Sequence, residues 1–351
     1  MKSVLIYLTL FSLSAFCISK SKTKSNQKID GYFLLAVLIP ICFAALRKNI
    51  GTDFQTYTYI YEHNSQLTLI DWFYSNRSIS DDRFLVWLFA RISGRFDSCE
   101  LFFGIFATLS VVPVAIRLKS DYSNKICFLS YFIYLASLYT TGLNICKQVA
   151  SMGVIIYGLK YINERKFLKY AIAVFLASLI HITSIIAIFA YFLYDYHGKI
   201  LSLKKIILII CAVIAVLMLQ RILRLVGGRF ESYYNYDEKV GNKMFFLNLF
   251  WCIIFCVYGK NYATFDKRNN TLITMLIIGS ILELTGFISP FVKRIAMYYT
   301  CPQFLLLGQI PHTLVTNDSI SIANVLIFVY TILLFILQFY ILGQGGIIVR
   351  Q

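Results

Sequence analysis

Long uncharged apolar runs, separated by short turns that carry Lys and Arg, recur along the whole chain. That pattern constrains the fold more than any motif does. Inside a bilayer every backbone N–H and C=O must find a partner within the protein, so apolar runs of about 16 to 22 residues are expected to form membrane-crossing helices. We place spans near 3–19, 31–46, 98–116, 126–140, 148–163, 168–181, 182–195, 206–222, 244–259, 270–288, 295–310 and 320–342. The fold class expected is all-α: a polytopic membrane protein with about 12 transmembrane helices and two larger outer loops. The run at 83–95 is short and holds Arg83, Arg91 and Arg95, which suits a helix lying in the membrane interface better than a span. The apolar run from Val4 to Ser19 is signal-like, but no small-residue cleavage site follows it cleanly and further spans do, so we read it as the first helix.

Charged residues make up 14% of the 351, against about 25% in a soluble domain. The net charge of +16 is read as topological, not as a sign of nucleic-acid binding. Basic residues on the far side could instead meet an anionic lipid headgroup. Lys20, Lys22, Lys24 and Lys28, then Arg117, Lys119 and Lys125, then Arg165 and Lys166, then Lys199, Lys204 and Lys205, then Lys260, Lys267 and Arg268 fall on one side if helices alternate. That side is expected to be cytoplasmic. The two long loops, 47–82 and 223–243, then share the opposite face. Larger loops are where function concentrates. No repeat or Pro/Gly-rich linker divides the chain, so residues 1–351 are read as one membrane domain. The nine Cys form no CxxC pair and read mostly as packing residues.

Charge at membrane depth is costly, so the few such residues are candidates for function. Arg47 follows the second span, Gly51 permits a tight turn, Asp53 is within reach of Arg47 if the chain turns back, and Tyr57 and Tyr61 are at helical spacing. An ordinary juxtamembrane anchor would use the same residue types. His181, at a turn between two apolar helices, could accept a proton or simply bond a neighbouring carbonyl. Lys147-Gln148 opens one helix, and Lys293-Arg294, followed by Tyr298 and Tyr299, opens another. Cations at helix starts oppose the macrodipole preference; an anionic ligand would explain them, as would snorkelling. Glu283 is the acid well inside a span, paired with a base or facing a water-filled cavity.

Arg47, Gly51, Asp53 and Tyr57 spell Arg-x-x-x-Gly-x-Asp-x-x-x-Tyr, which resembles the EpsG-like membrane proteins, among them polymerases of the Wzy type that build O-antigen and exopolysaccharide chains. Asp82 before an apolar segment, Lys147-Gln148 before a span, His181 with Thr183, and Arg294 with Tyr298 continue the resemblance in order over most of residues 1–300. The family usually has Arg where this chain has Lys147, which keeps the charge but loses the bidentate fork.

The resemblance implies a glycosyltransferase that joins oligosaccharide repeat units carried on undecaprenyl pyrophosphate, at the periplasmic face of a bacterial inner membrane. Arg294 and Arg47 would hold the pyrophosphate with Lys147 in support, His181 or Asp53 would act as base, and Gln148, Tyr57 and Tyr298 would complete the substrate-binding set. Expected partners are the lipid-linked oligosaccharides, the lipid bilayer, and a chain-length regulator and flippase of the same pathway. No cofactor, metal or nucleic acid is expected. Three rivals stay open. A lipid-linked oligosaccharide flippase should show two similar halves. A membrane O-acyltransferase would favour a cytoplasmic site for its acyl-CoA. A structural export subunit would not need buried cations.

Overall fold

A computed structural model of the chain describes residues 2–22, 29–75, 83–194, 243–284, 290–315 and 319–341, and a partial set between 202 and 218. Every regular element among them is helical. The second long loop, 223–243, lies outside the described residues apart from Lys243, as do Asp82 and about half of the span expected at 206–222.

The first helices follow the sequence closely. They are α1 (Lys2–Lys20) and α2 (Gly31–Leu46), the latter started by Asp30, whose carboxylate accepts the Phe33 N–H at 2.8 Å. The 47–82 segment is not an extended loop. It contains α3 (Phe54–Gln66) and α4 (Leu69–Ser75), because Tyr57 and Tyr61 recur on one face and bury it. Helix α5 (Phe84–Gly94) packs one face on the protein. Val86 and Ala90 are fully buried, and Arg91 Nη1 donates to Ser65 O at 2.6 Å on the end of α3.

Helix α6 (Cys99–Asp121) runs five residues past its expected end at 116. Arg117 pairs with Asp121 at 2.7 Å, and Arg268 reaches the same carboxylate at 2.7 Å. Lys119 Nζ donates to Ser21 O and Asn124 Oδ1, each at 2.7 Å. These cations close one end of the bundle. Helix α7 (Asn124–Tyr134) continues through a π-helical turn, Leu135–Tyr139, to Gly142 at the other end. Then come α8 (Cys146–Asn163), α9 (Phe167–Ser178) and a 3-10 helix, Ile182–Leu193. The second half holds α10 (Lys243–Val257), α11 (Gly259–Phe265), α12 (Asn269–Leu284), α13 (Pro290–Thr300), α14 (Gln303–Leu307), α15 (Ile310–Thr313) and α16 (Ile320–Phe335), which ends in a second π turn, Ile336–Ile341.

The expected dozen spans are not reproduced by helix length. Among the described residues three helices, Ser3–Lys20, Cys99–Asp121 and Ile320–Phe339, are long and apolar enough to cross a membrane, or up to four if α10 and α11, bent by 71°, count as one. The reason is local. Helix α9 has 12 residues, about 18 Å, against a hydrocarbon core of about 30 Å. The run expected at 295–310 is divided among α13, α14 and α15, with Pro302 and Pro311 at the breaks.

Packing compensates for each interrupted helix. Pro40 has no N–H, so within α2 the Ala36 carbonyl loses its helical donor. Tyr131 Oη donates to it at 3.0 Å and Ser14 Oγ at 2.5 Å. Tyr170 Oη and Tyr299 Oη donate to Ala187 O and Ile186 O, fixing the 3-10 helix from two sides. Helices α6 and α8 touch backbone to backbone at Gly153, where an added Cβ would stand 2.8 Å from Ser110 Cα. We expect Gly153→Val to cost about 1–3 kcal/mol by overpacking. A lower thermal unfolding midpoint in detergent, with normal membrane targeting, is the readout; an unchanged midpoint refutes the contact.

Candidate functional site

The turn after α2 carries the first motif. Its backbone is left-handed at Asn49 (φ 51°) and Gly51 (φ 106°). Asn tolerates that region and Gly is unstrained in it. Gly51 lies directly on the turn between α7 and α8, where a Cβ would meet Leu143 O at 2.6 Å. Beside it, Thr52 N donates to Asn144 Oδ1 at 2.8 Å.

Arg47 docks on the same turn. It is 6% exposed. Its Nη1 donates to Ala44 O at 2.7 Å, and Nη2 donates to Leu143 O at 3.3 Å and Cys146 Sγ at 3.1 Å. The guanidinium lies 4.3 Å from the centroid of the Phe103 ring. The cation thus satisfies carbonyls at the C-terminal ends of two helices, where the backbone runs out of donors and the dipole is negative. Among the described residues no carboxylate pairs with it. The pairing with Asp53 expected from the sequence is absent, and both terminal nitrogens of the guanidinium are bonded within the protein. Asp53 stands at the N-cap position of α3 without a side-chain capping bond and is half-buried, its Oδ1 accepting from Thr52 Oγ1 at 3.2 Å.

One turn on, Tyr57 is 6% exposed and its hydroxyl accepts the Lys147 N–H at 3.4 Å. Arg47, Gly51, Thr52 and Tyr57 therefore all hold the start of α8. Its first turn presents Lys147, half-buried, with Nζ 5.9 Å from the centroid of the Tyr57 ring. Gln148 points inward at 1% exposure, and its Nε2 donates to Arg294 O at 2.8 Å. That bond fixes the backbone of α13 where Arg294, itself exposed, projects.

Further along α8, Ser151 Oγ and Tyr298 Oη are 2.8 Å apart, and Thr183 Oγ1 donates to Tyr298 Oη at 3.4 Å. Thr183 Oγ1 also sits 2.8 Å from His181 Nδ1. Tyr298 is fully buried. It and Tyr57, placed in the substrate-binding set from the sequence, stand as struts within the protein. A phenol buried in apolar surroundings needs a partner for its hydroxyl, and both hydroxyls are taken by the protein.

His181 lies in the turn between α9, which ends at Ser178, and the 3-10 helix. Burial is the main cause pushing its pKa down, to about 3; the positive charges of Lys147, Arg294 and Arg83 add to it. The structure thus gathers Lys147, Gln148, His181, Arg294 and Tyr298 in one cluster, called the mouth below, with Tyr57 and Arg47 at the start of the same helix. Arg83 and Ser151 join them without having been singled out in the sequence. Arg83 arrives because Leu85 N donates to Leu179 O at 3.1 Å, tying the start of α5 to the His181 turn. Ser151 was legible in principle, three residues beyond Gln148 on the same helix face.

The depressed pKa has two consequences. Protonating His181 is harder in the folded than in the unfolded chain, so its contribution leaves stability intact above about 6.5 and erodes it as pH falls toward 3. We further expect the free protein's activity, read as kcat/KM, to show no ionisation from His181 between about pH 5 and 8. A limb in that interval that disappears in His181→Gln contradicts this.

Comparison with known proteins adds one family. A family model described as the EpsG family matches residues 31–348, nearly the whole chain. A search of curated proteins and a search of solved structures each return no match.

Proposed function

The chain belongs to the EpsG family, whose members are Wzy-like polymerases, and from that premise we propose that it joins lipid-linked oligosaccharide repeat units into a surface polysaccharide. The reading places it in a bacterial inner membrane as a multi-pass protein, with the mouth at Lys147, His181 and Arg294 facing the periplasm. The substrates are oligosaccharides on undecaprenyl pyrophosphate.

In this reaction a hydroxyl oxygen of the acceptor sugar attacks the anomeric carbon at the end of the growing chain. The bond from that carbon to pyrophosphate breaks, and the lipid pyrophosphate leaves with the electron pair. Negative charge builds on the leaving oxygens, so preorganised cations are the chief requirement. The observation that carries the reading is the convergence of Lys147, Arg294 and Arg83 on His181. In the empty site burial, with those charges adding to it, keeps His181 neutral. A bound pyrophosphate offsets the charges' share, which raises the His181 pKa and makes it a better base. Asp53, half-buried at the head of α3, is the other base candidate. Arg294 and Lys147 take the pyrophosphate. Arg47, expected from the sequence to share that work, acts instead by positioning α8. Gln148, Tyr57 and Tyr298 hold the backbone and helices that present the cations.

Gel analysis of surface polysaccharide from a deletion strain tests the reading. Single repeat units capped on the lipid anchor support it. Full-length ladders refute it. Loss of every repeat unit from the surface points to a flippase, and normal length with altered acetylation to an acyltransferase.

A further inference from the structure

A cavity of about 310 Å³ lies on the other side of α13 from His181, enclosed by α7, α10, α12, α13, α14 and α16. That size falls at the lower end of the range of small-ligand pockets, about 300–1,000 Å³. Its lining includes polar side chains from several of these helices. Asn144, whose side chain accepts from Thr52 N, is there, with Thr141 three residues before it. Glu283 stands at the end of α12, and Gln338 stands in the closing π turn of the last helix. Asn248 Nδ2 donates to both oxygens of Glu283, at 2.9 and 2.8 Å. Glu283 is only 6% exposed. Trp251 and Tyr330 form one wall, joined by an indole-to-hydroxyl bond of 2.8 Å. The deep end is closed by apolar groups, among them Phe304 and Leu307.

Both π-helical turns contribute to the lining, Ser137 and Leu138 from the first and Gln338 and Phe339 from the second. Such turns are rare and gather at functional sites. The cavity also shares a wall with the cationic mouth. Met297 lines it, and Gln148 Nε2 approaches Met297 Sδ at 3.9 Å. Met297 is three residues after Arg294, which is about 4.5 Å along a helix.

We propose that this cavity holds a neutral sugar ring of the glycan, with Glu283 and Asn248 as the residues that recognise its hydroxyls. The inference rests on the polymerase reading for the link to a glycan, but not for the chemistry of the pocket. Glu283 opposes a phosphate here, so pyrophosphate belongs at Lys147 and Arg294, one helical turn away. A hydrocarbon chain would offer no donor or acceptor to Glu283, Asn248, Gln338 and Thr141, and burying polar groups against hydrocarbon is unfavourable. A pyranose supplies hydroxyls to that polar rim and a C–H face to Trp251 and Tyr330.

The test uses the full-length protein in phospholipid nanodiscs and saturation-transfer NMR with glucose, galactose, mannose, rhamnose and the two common N-acetylhexosamines at millimolar concentration. At least one sugar is expected to receive saturation. Glu283→Gln and, independently, Gln338→Leu are expected to weaken that signal by about fivefold or more, since a buried site built for hydroxyls loses most when its partner is removed. Their thermal unfolding midpoints check that they fold. Arg294→Ala is expected to keep the sugar signal while losing polymer in cells. If no sugar gives a signal, or if both folded variants match the wild type, the assignment is wrong. It is also wrong if a short isoprenoid alcohol displaces the sugar signal equally in wild type and Glu283→Gln. Sugar binding that survives alongside normal ladders in the deletion strain sinks only the polymerase reading. Absent sugar binding, with Arg294→Ala still stopping polymer, sinks only the cavity assignment.

Discussion

Arg294→Ala is expected to stop chain growth without reducing the amount of folded protein. The side chain is exposed at the mouth, so its removal opens no core cavity. The backbone that presents it stays in place, because Gln148 holds the Arg294 carbonyl rather than its guanidinium. What is lost is a preorganised donor for the leaving pyrophosphate. Removing one such donor from an electrostatic site costs roughly 10²- to 10³-fold in rate. Arg294→Lys should recover part of that, because charge survives but the fork does not. Protein level by immunoblot and ladder length on the same cells provide the check. Normal ladders in Arg294→Ala remove the clamp assignment.

Arg47→Lys is expected to give the same polysaccharide defect for the opposite reason, by loss of folded protein. Lys keeps the charge, so a site needing only a cation would tolerate it. The guanidinium, however, spans two helix ends and a thiol through Ala44 O, Leu143 O and Cys146 Sγ. An ammonium cannot reproduce that planar fork or its stacking on Phe103. Each charge-assisted hydrogen bond lost at a buried position costs about 1.5–3 kcal/mol, a large share of a protein's net stability. The measurement is a thermal unfolding midpoint in detergent beside the ladder. A fully stable Arg47→Lys protein with no polymer would return Arg47 to the substrate.

The contrast between these two arginines marks where sequence reading succeeds. Arg47, Gly51, Asp53 and Tyr57 were recognisable as a unit from their spacing. The unit works as a clip: Gly51 lets the backbone lie on Leu143, and Arg47 and Tyr57 close on either side of it at the start of α8. Lys147, Gln148, His181, Arg294 and Tyr298 were likewise named from the sequence, and the fold brings them to one place. Arg83 was not, because a basic residue before a short apolar run looks like any interfacial anchor. Tyr57 and Tyr298 were placed in the substrate-binding set by the resemblance. Nothing local to either residue reveals that its hydroxyl is already bonded.

Helical structure, suitability for a membrane and family membership are all legible in the order of the residues. Apolar runs with scarce charge leave the backbone no solvent partner, so the helix is the available answer along most of the chain. Only the tertiary structure decided which cations are spent holding the protein together and which are left to meet a ligand. That choice depends on acceptors far away in the chain. Leu143 and Cys146, nearly a hundred residues from Arg47, consume its guanidinium, while Gln148, 146 residues from Arg294, holds a backbone carbonyl and leaves the side chain exposed.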